Sequence, residues 1–438
     1  MAYGGGSWVT QNMVLPGTYI NFISAAKVSA ALSSRGIATL PLEMDWGPEQ
    51  QMMTVERGDF ETGSLSLFGY PYTADQLRPM REIFLHARTV HFFRLNAGGE
   101  KASCTYASAR YPGTRGNDLK VVIEENEDSQ PEARRYNVAT YLGTTRVDFQ
   151  QGVAGMADLA DNPYLVFDRE AELSATASTP LTGGTTGTAE DAAYQTYLDQ
   201  AESYTFNAMG CPSTNPVIQK LFAAYCKRMR EEVGKKFQVV CFRSLADHES
   251  VISLKNGLAG DTENPALIPW VTGVEAGTAA NASATALAYD GEYTPDTSYT
   301  QTQLAEGIRE GSFLLHREDD AVLVLRDINS FVSFTEDKGE DFSSNQVIRS
   351  MDQIAIDTAL AFNGRYIGKM PNDGSGRISF WNELVKLHKE YERIRMLENF
   401  DSEQMVIAPG ETKKAVLLTE HVNIVSAMEQ LYMAVYVH

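Results

Sequence analysis

Apolar positions recur at helical spacing twice in the last hundred residues of the chain. Val347, Ile348, Met351, Ile354 and Phe362 fall on one side of a helix that Ser343 or Ser344 can cap. Phe380, Trp381, Leu384, Leu387, Tyr391, Ile394 and Leu397 make a second stripe, with Ser379 as the expected cap. A turn-rich break, Met370-Pro371-Asn372-Asp373-Gly374-Ser375-Gly376, separates the two. Strand signals follow at 405–407 and 415–418, with Pro409-Gly410 as the turn between them. The chain ends on the alternating run Leu431-Tyr432-Met433-Ala434-Val435-Tyr436-Val437. Such a strand at a chain end either pairs within its own sheet or adds to a neighbouring molecule. We expect the second, with a matching arm at the N-terminus.

That N-terminal arm covers residues 1–22. Three glycines and Trp8-Val9-Thr10 lead to Leu15-Pro16-Gly17-Thr18, after which 19–22 reads as a short strand. Residues 23–99 form an α/β segment. Within it, 37–42 is extended and stops at Asp45-Trp46-Gly47-Pro48. Thr73 can cap a helix bearing Leu77, Met80, Phe84 and Leu85, and 90–95 reads as a buried strand. His86 and His91 straddle that helix end without sharing a face, a poor metal pair.

The pattern then changes. In residues 100–183 short alternating runs at 119–124, 136–142, 145–149 and 164–167 are punctuated by turn residues, and Gly143-Thr144 joins two as a hairpin. Even spacing of this kind predicts an all-β module. The Ser/Thr/Gly-rich stretch 174–188 reads as its exit linker, since it lacks the Gly-Lys-Ser/Thr of a phosphate loop. Residues 184–336 alternate as an α/β domain. Helices are expected at 192–204 and 215–233, strands at 237–242, 251–254 and 321–325, and a long surface loop at 276–300. Lys227, Arg228, Arg230, Glu231 and Glu232 read as a solvated helix face. Residues 337–438 close the chain.

Composition narrows the function. The chain has 438 residues, 43% of them hydrophobic, and a formal net charge of −20. That length predicts several domains. The charge repels phosphate backbones, which argues against nucleic-acid binding. No apolar run reaches the ~18 residues of a membrane span. Met1-Ala2-Tyr3-Gly4-Gly5-Gly6 has neither the basic nor the apolar region of a secretory leader, so folding in a cytoplasm is expected. Cys104, Cys211, Cys226 and Cys241 are too widely spaced for a zinc site and read as buried, reduced thiols. The seven histidines stand outside any nucleophile or metal motif. Asp247-His248-Glu249 is the densest ionisable cluster, but adjacent residues on a strand or helix do not converge on one site. No catalytic residue, cofactor or metal is expected.

Several motifs together carry a resemblance. Asp327-Ile328-Asn329-Ser330, Asn345-Gln346-Val347-Ile348-Arg349, Tyr366-Ile367-Gly368-Lys369, Asn372-Asp373-Gly374-Ser375-Gly376-Arg377 and Met428-Glu429-Gln430-Leu431-Tyr432-Met433 stand in that order. In order and spacing they resemble the C-terminal domain of contractile phage tail sheath proteins. Tyr111-Pro112-Gly113-Thr114-Arg115-Gly116-Asn117-Asp118 resembles the start of that family's β-sandwich domain, and Leu15-Pro16-Gly17-Thr18-Tyr19 its N-terminal arm. The likeness spans nearly the whole chain and is closest to sheaths of Gram-positive phages, defective prophages and phage-tail-like bacteriocins.

The resemblance implies an α+β multidomain chain. Its parts are arms at both ends, a β-sandwich insertion, a non-catalytic α/β middle domain of subtilisin-like topology, and an α+β C-terminal sheath domain. It implies a homo-oligomer of stacked rings or a helix around an inner tail tube protein, with baseplate and tail terminator proteins as further partners. The setting is a virion tail assembled in the host bacterial cytoplasm. Leu15, Tyr19, Ile20 and Phe22 in one arm, and Leu431, Met433, Val435 and Val437 in the other, would complete a sheet in neighbouring C-terminal domains. Lys386, Lys389, Arg393 and Arg395 are the expected tube contact. Two rivals remain at this stage: a soluble hydrolase using the α/β domain, and a surface adhesin presenting the Thr-rich loops.

Overall fold

The structure is a computed structural model that describes residues 32–244 and 246–437. Two compact units divide the chain: Ser34–Ile356 with Ile424–His438, and a smaller one that includes Asp357–Asn423.

The first segment runs β1 (Ile37–Leu42), β2 (Met52–Glu56), α1 (Arg57–Phe68), α2 (Arg78–Phe84) and β3 (Thr89–Arg94). The expected strands at 37–42 and 90–95 are present, and every residue of β3 is buried. α1 escaped the sequence pattern because Gly58, Thr62, Gly63, Ser64 and Ser66 are weak helix formers and only Phe60, Ser64 and Phe68 are buried. Thr73 caps nothing. α2 starts after a short turn at Asp75–Leu77, with Pro79 presetting its first turn.

The all-β module holds β4 (Ala107–Ala109), β5 (Leu119–Glu125), β6 (Tyr136–Leu142), β7 (Thr145–Val153), β8 (Leu165–Phe167) and β9 (Thr176–Pro180). Four strands form an antiparallel sheet in the order β7-β6-β5-β9, and β4 pairs β8. Leu142 faces Thr145 across the Gly143-Thr144 turn, where Gly143 has a φ of 60°. Leu119, Val121 and Ile123 alternate inward and share one core with Val138, Leu165 and Phe167, so the two sheets make a sandwich. The stretch read as a linker is corrected here. β9 lies inside it and pairs with β5, and Thr182 and Thr188 bridge to Ser103 and Ala97. Its β-branched threonines suit a sheet edge.

The middle domain adds α3 (Asp191–Ala201), β10 (Ala208–Cys211), α4 (Pro216–Arg228), β11 (Gln238–Phe242), β12 (Val251–Leu254), α5 (Ile268–Gly277), α6 (Gln301–Arg309), β13 (Ser312–Phe313), β14 (Leu315–Glu318) and β15 (Ala321–Val324). With the first segment it builds a seven-stranded sheet, β13-β12-β11-β10-β1-β3-β2. All neighbours are parallel except β2 against β3. Helices α3 and α4 cover one face through Tyr197, Leu198, Phe222 and Cys226, while α2 and α5 contribute to the other apolar clusters. A parallel strand covered on both faces loses the alternating signature, and β10 is therefore buried throughout and was missed. So was α5, whose first nine residues are all buried. Of the expected loop 276–300, the first two residues end α5 and 278–300 form neither helix nor strand, yet the stretch is not simply a surface loop. Ala280 and Ala284 are buried, and Tyr289 packs on Trp270 at 5.0 Å. Cys211, Cys226 and Cys241 are buried free thiols, and burial pushes Cys226 up to about 12.

The last helices are α7 (Asn345–Arg365) and α8 (Gly374–Arg393), followed by the antiparallel hairpin of Val406–Pro409 with Val416–Thr419. Val347, Ile348 and Ile354 of the first expected stripe are buried, as are Phe380, Leu384, Leu387 and Tyr391 of the second. Ser379 is not the cap of α8. The helix begins five residues earlier, where Asp373 Oδ1 accepts the Gly376 N–H at 2.7 Å. Gly376 fits that turn because a Cβ there would stand 2.1 Å from the Pro371 carbonyl oxygen.

Candidate assembly surfaces

The expected N-terminal arm residues, Leu15, Tyr19, Ile20 and Phe22, lie outside the described residues. At the other end, 431–437 carries no ladder among the described residues. Its apolar side chains face solvent: Leu431 is 87% exposed, Met433 76%, Val435 68% and Val437 90%. Burying apolar side chains is worth roughly 25 cal/mol per Å², so covering this run would be favourable.

Of the cations proposed for the tube, Lys386, Lys389 and Arg393 follow one face of α8 at spacings of three and four, and all are exposed. Glu390 holds Arg393 Nε at 2.8 Å on the same helix, which weakens Arg393 as a free cation. Arg395 lies beyond the helix in a left-handed conformation, φ 60°, off that face. The smaller unit also contains a groove of about 630 Å³, walled by Phe362, Ile367, Met370 and Phe380 and edged by Arg377 and Lys413. The hairpin residue Val416 also lines it.

The polar members of two of the sequence motifs, 327–330 and 345–349, do not face solvent; they build a buried network. Arg349 is 1% exposed and binds Glu275 and Asp327, whose side chains are 3% and 2% exposed. Arg35 adds a second guanidinium on Glu275 at 3.0 Å. Asp327 also accepts from Asn345 Nδ2 at 3.0 Å and from the Ala284 N–H at 2.9 Å. Two arginines face two carboxylates, so the cluster is charge-balanced. Burial raises the Glu275 carboxyl above its ordinary range while the guanidiniums oppose it; two carboxylates raise Arg349. Arg230 is corrected by the same pattern. Read as part of a solvated face, it is buried and makes two bonds, 2.6 and 2.7 Å, to Asp352. Charged residues are rarely buried unless paired, and no sequence period marks the pairing.

The β-sandwich motif also has a structural explanation. Gly113 has a φ of 145°, and a Cβ there would stand 1.8 Å from the Asp45 carbonyl oxygen. Arg115 stacks over the Tyr70 ring at 4.3 Å and donates to the Gly69 carbonyl, while Asn117 and Gly184 exchange hydrogen bonds at 2.8 Å.

Asp247-His248-Glu249 converges more than expected, because it lies in a loop with Asp247 at φ 48°. His248 Nδ1 accepts from Ser250 N–H at 3.1 Å and sits 2.7 Å from its hydroxyl. Its Nε2 faces Glu231 at 3.3 Å and Glu249 at 3.6 Å. Ser250 is fully buried, so its hydroxyl cannot meet a substrate carbonyl. The loop instead ties down the segment after β15. Asp247 accepts from the Val332 and Ser333 N–H groups, and Lys338 binds Glu249 at 2.7 Å. His86 and His91 bind separate partners, Asp290 and Thr54 with Thr205, as their spacing predicted.

The fold is shared by the sheath tail protein from Desulfitobacterium hafniense, with a TM-score of 0.81 and 34% identity over 94% of this chain and 98% of that one. The chain belongs to the phage tail sheath family. Four family descriptions match consecutive parts of this sheath protein. They are the Tail sheath protein Gp18 domain III N-terminal region (35–95), the Phage tail sheath protein beta-sandwich domain (97–188), the Phage tail sheath protein central domain (187–330) and the Phage tail sheath C-terminal domain (337–438). The sheath tail protein of Listeria innocua is similar at a TM-score of 0.79 and 26% identity, covering 91% of this chain and 94% of that one. The anti-feeding prophage helical sheath in its contracted state shares the fold alone, at a TM-score of 0.55 and 11% identity over 97% of this chain and 99% of that one. The sheath protein is thus a structural subunit of a phage tail sheath, and its relatives are tail sheath proteins. No helix among the described residues is long and apolar enough to cross a membrane.

Proposed function

We propose that the subunit polymerises around an inner tail tube by lending its two arms to neighbouring copies, and that contraction of the polymer drives the tube through a target cell envelope. The carrying observation is the exposed alternating run 431–437, which is shaped for a sheet and has no partner strand among the described residues of its own chain. The edges of the hairpin, which pair no further strand among the described residues, and the apolar groove in the smaller unit would supply a matching surface on the next copy. A strand offered at one place and an edge offered at another make a heterologous contact, which propagates into a helix instead of closing.

Five or six residues at about 1 kcal/mol net per hydrogen bond give a few kcal/mol per arm. That must overcome repulsion between subunits of net charge −20, so repetition along the polymer matters more than any single arm. Leu15, Tyr19, Ile20 and Phe22 are proposed for the second arm. Lys386 and Lys389, with Arg393 and Arg395 at the margin, are proposed for the tube. Baseplate and terminator proteins complete the partner set, with assembly in the host cytoplasm. The predominantly parallel sheet is consistent with a subtilisin-like topology retained without its chemistry, since His248 faces a buried serine.

Deleting 431–438 tests this. The truncated subunit should keep its thermal stability, because the side chains of 431–437 are exposed, and should form no long tubes by electron microscopy. Normal tubes from the truncated subunit would overturn the arm assignment.

A further inference from the structure

The C-terminal arm is gripped at its root by side chains that nothing in its own sequence announces. Gln346, 4% exposed, donates from Nε2 to the Val425 carbonyl at 3.2 Å and to the Asn281 carbonyl at 3.0 Å. Its Oε1 accepts the Ala427 N–H at 2.9 Å. In a parallel ladder one residue takes the carbonyl and the N–H that flank the residue opposite. The Gln346 carboxamide makes that same pair of bonds around Ser426, so one side chain replaces one residue of a missing strand. Two residues further on, the Glu429 carboxylate accepts from Thr285 Oγ1 at 2.9 Å and from Arg326 Nε at 2.7 Å. Thr285 in turn accepts the Asp327 N–H at 3.0 Å. Beyond Glu429 the grip ends, and Leu431 and Tyr432 are both 87% exposed.

We propose that Gln346, Arg326 and Thr285 are positioning residues that fix where and in which direction the C-terminal arm leaves the subunit, with Gln430 as the pivot. The inference rests on the arm reading above and adds to it a defined root. Gln346 follows Asn345, and Arg326 precedes Asp327, so the seat is built directly on the buried Arg349 network. Releasing residues 425–429 would add about 3.3 Å of free chain per residue, on the order of 15 Å. That slack enlarges the volume the arm searches, lowers its effective concentration at the neighbour's edge and loosens strand register. The seat also gives subunit rotation a place to be absorbed: one residue turns while the root holds.

The test uses the full-length subunit carrying Gln346→Leu, with Glu429→Gln and Arg326→Gln as separate variants at partly exposed positions where the fold is not at risk. Hydrogen exchange is read at residues 425–430 before assembly, and tube formation is read against concentration. Gln346→Leu should speed Ala427 exchange about tenfold and raise the polymerisation threshold several-fold. Glu429→Gln and Arg326→Gln should each speed exchange at 427–430 about threefold. Unchanged exchange in the Glu429 and Arg326 variants, or an unchanged threshold with Gln346→Leu, overturns the seat. Deletion of 431–438 separates the two ideas. If that deletion leaves tubes intact, the arm reading fails whatever the exchange shows; if it abolishes tubes while the seat variants assemble normally, only the seat fails.

Discussion

Replacing Arg349 by leucine isolates what the buried network contributes. Leucine keeps much of the aliphatic volume and removes the guanidinium. Glu275 and Asp327, at 3% and 2% exposure, are then left with Arg35 alone, and a balanced cluster becomes one with an excess negative charge. The Ala282 carbonyl also loses its 3.0 Å donor. Breaking a buried pair by deleting one partner costs about 3–5 kcal/mol. At roughly 2–4 °C per kcal/mol for a domain of this size, melting should fall by on the order of 10 °C.

The pH dependence gives the sharper check. Burial already raises the Glu275 carboxyl, and Arg349 is one of the two arginines opposing that rise. Without Arg349 the folded-state value moves further up. A group raised on folding adds stability below its unfolded value and loses it as pH climbs through the folded one. The deficit of Arg349→Leu against the parent should therefore be largest at pH 7–8 and narrow toward acid, as the stranded Glu275 carboxyl takes up a proton. Thermal unfolding of the unassembled subunit across that range measures it. A deficit below about 1 kcal/mol, or one equal at both ends of the range, would refute the argument that Arg349 balances buried carboxylates.

Three other outcomes follow from changes at one or two positions. Gly113→Ala places a methyl group 1.8 Å from the Asp45 carbonyl oxygen at a φ that only glycine adopts freely, and should cost about 3 kcal/mol or more in urea unfolding. Asp373→Ala removes the cap of α8 and should lower stability by about 1 kcal/mol, with Asp373→Ser restoring most of it. Reversing Lys386 and Lys389 to glutamate should leave tube-free sheath polymers intact and weaken co-sedimentation with the tail tube; unchanged co-sedimentation removes α8 from the tube interface.

Much of the architecture was legible along the chain. The stripes of α7 and α8, the 119–125 and 136–142 strands and the Gly143-Thr144 hairpin each bury a face through local periodicity, and local periodicity is written in sequence. Local readings failed where burial is two-sided or where a partner is distant. β10 and the first nine residues of α5 are buried throughout because the sheet and its helices enclose them, which erases the period. β9 was hidden in a Thr-rich stretch because only pairing with β5 makes it a strand.

The chain by itself therefore determined that this is a multidomain α+β protein with the motifs of a tail sheath. Only the tertiary structure decided why those motifs hold the residues they do. Arg349 and Asp327 are twenty-two positions apart, and Gln346 lies far in sequence from the Ala427 amide it receives. A charge or amide is tolerated inside a protein only when a partner meets it there. Which partner arrives is set by the folding of distant segments onto one another, and no spacing along the chain encodes it.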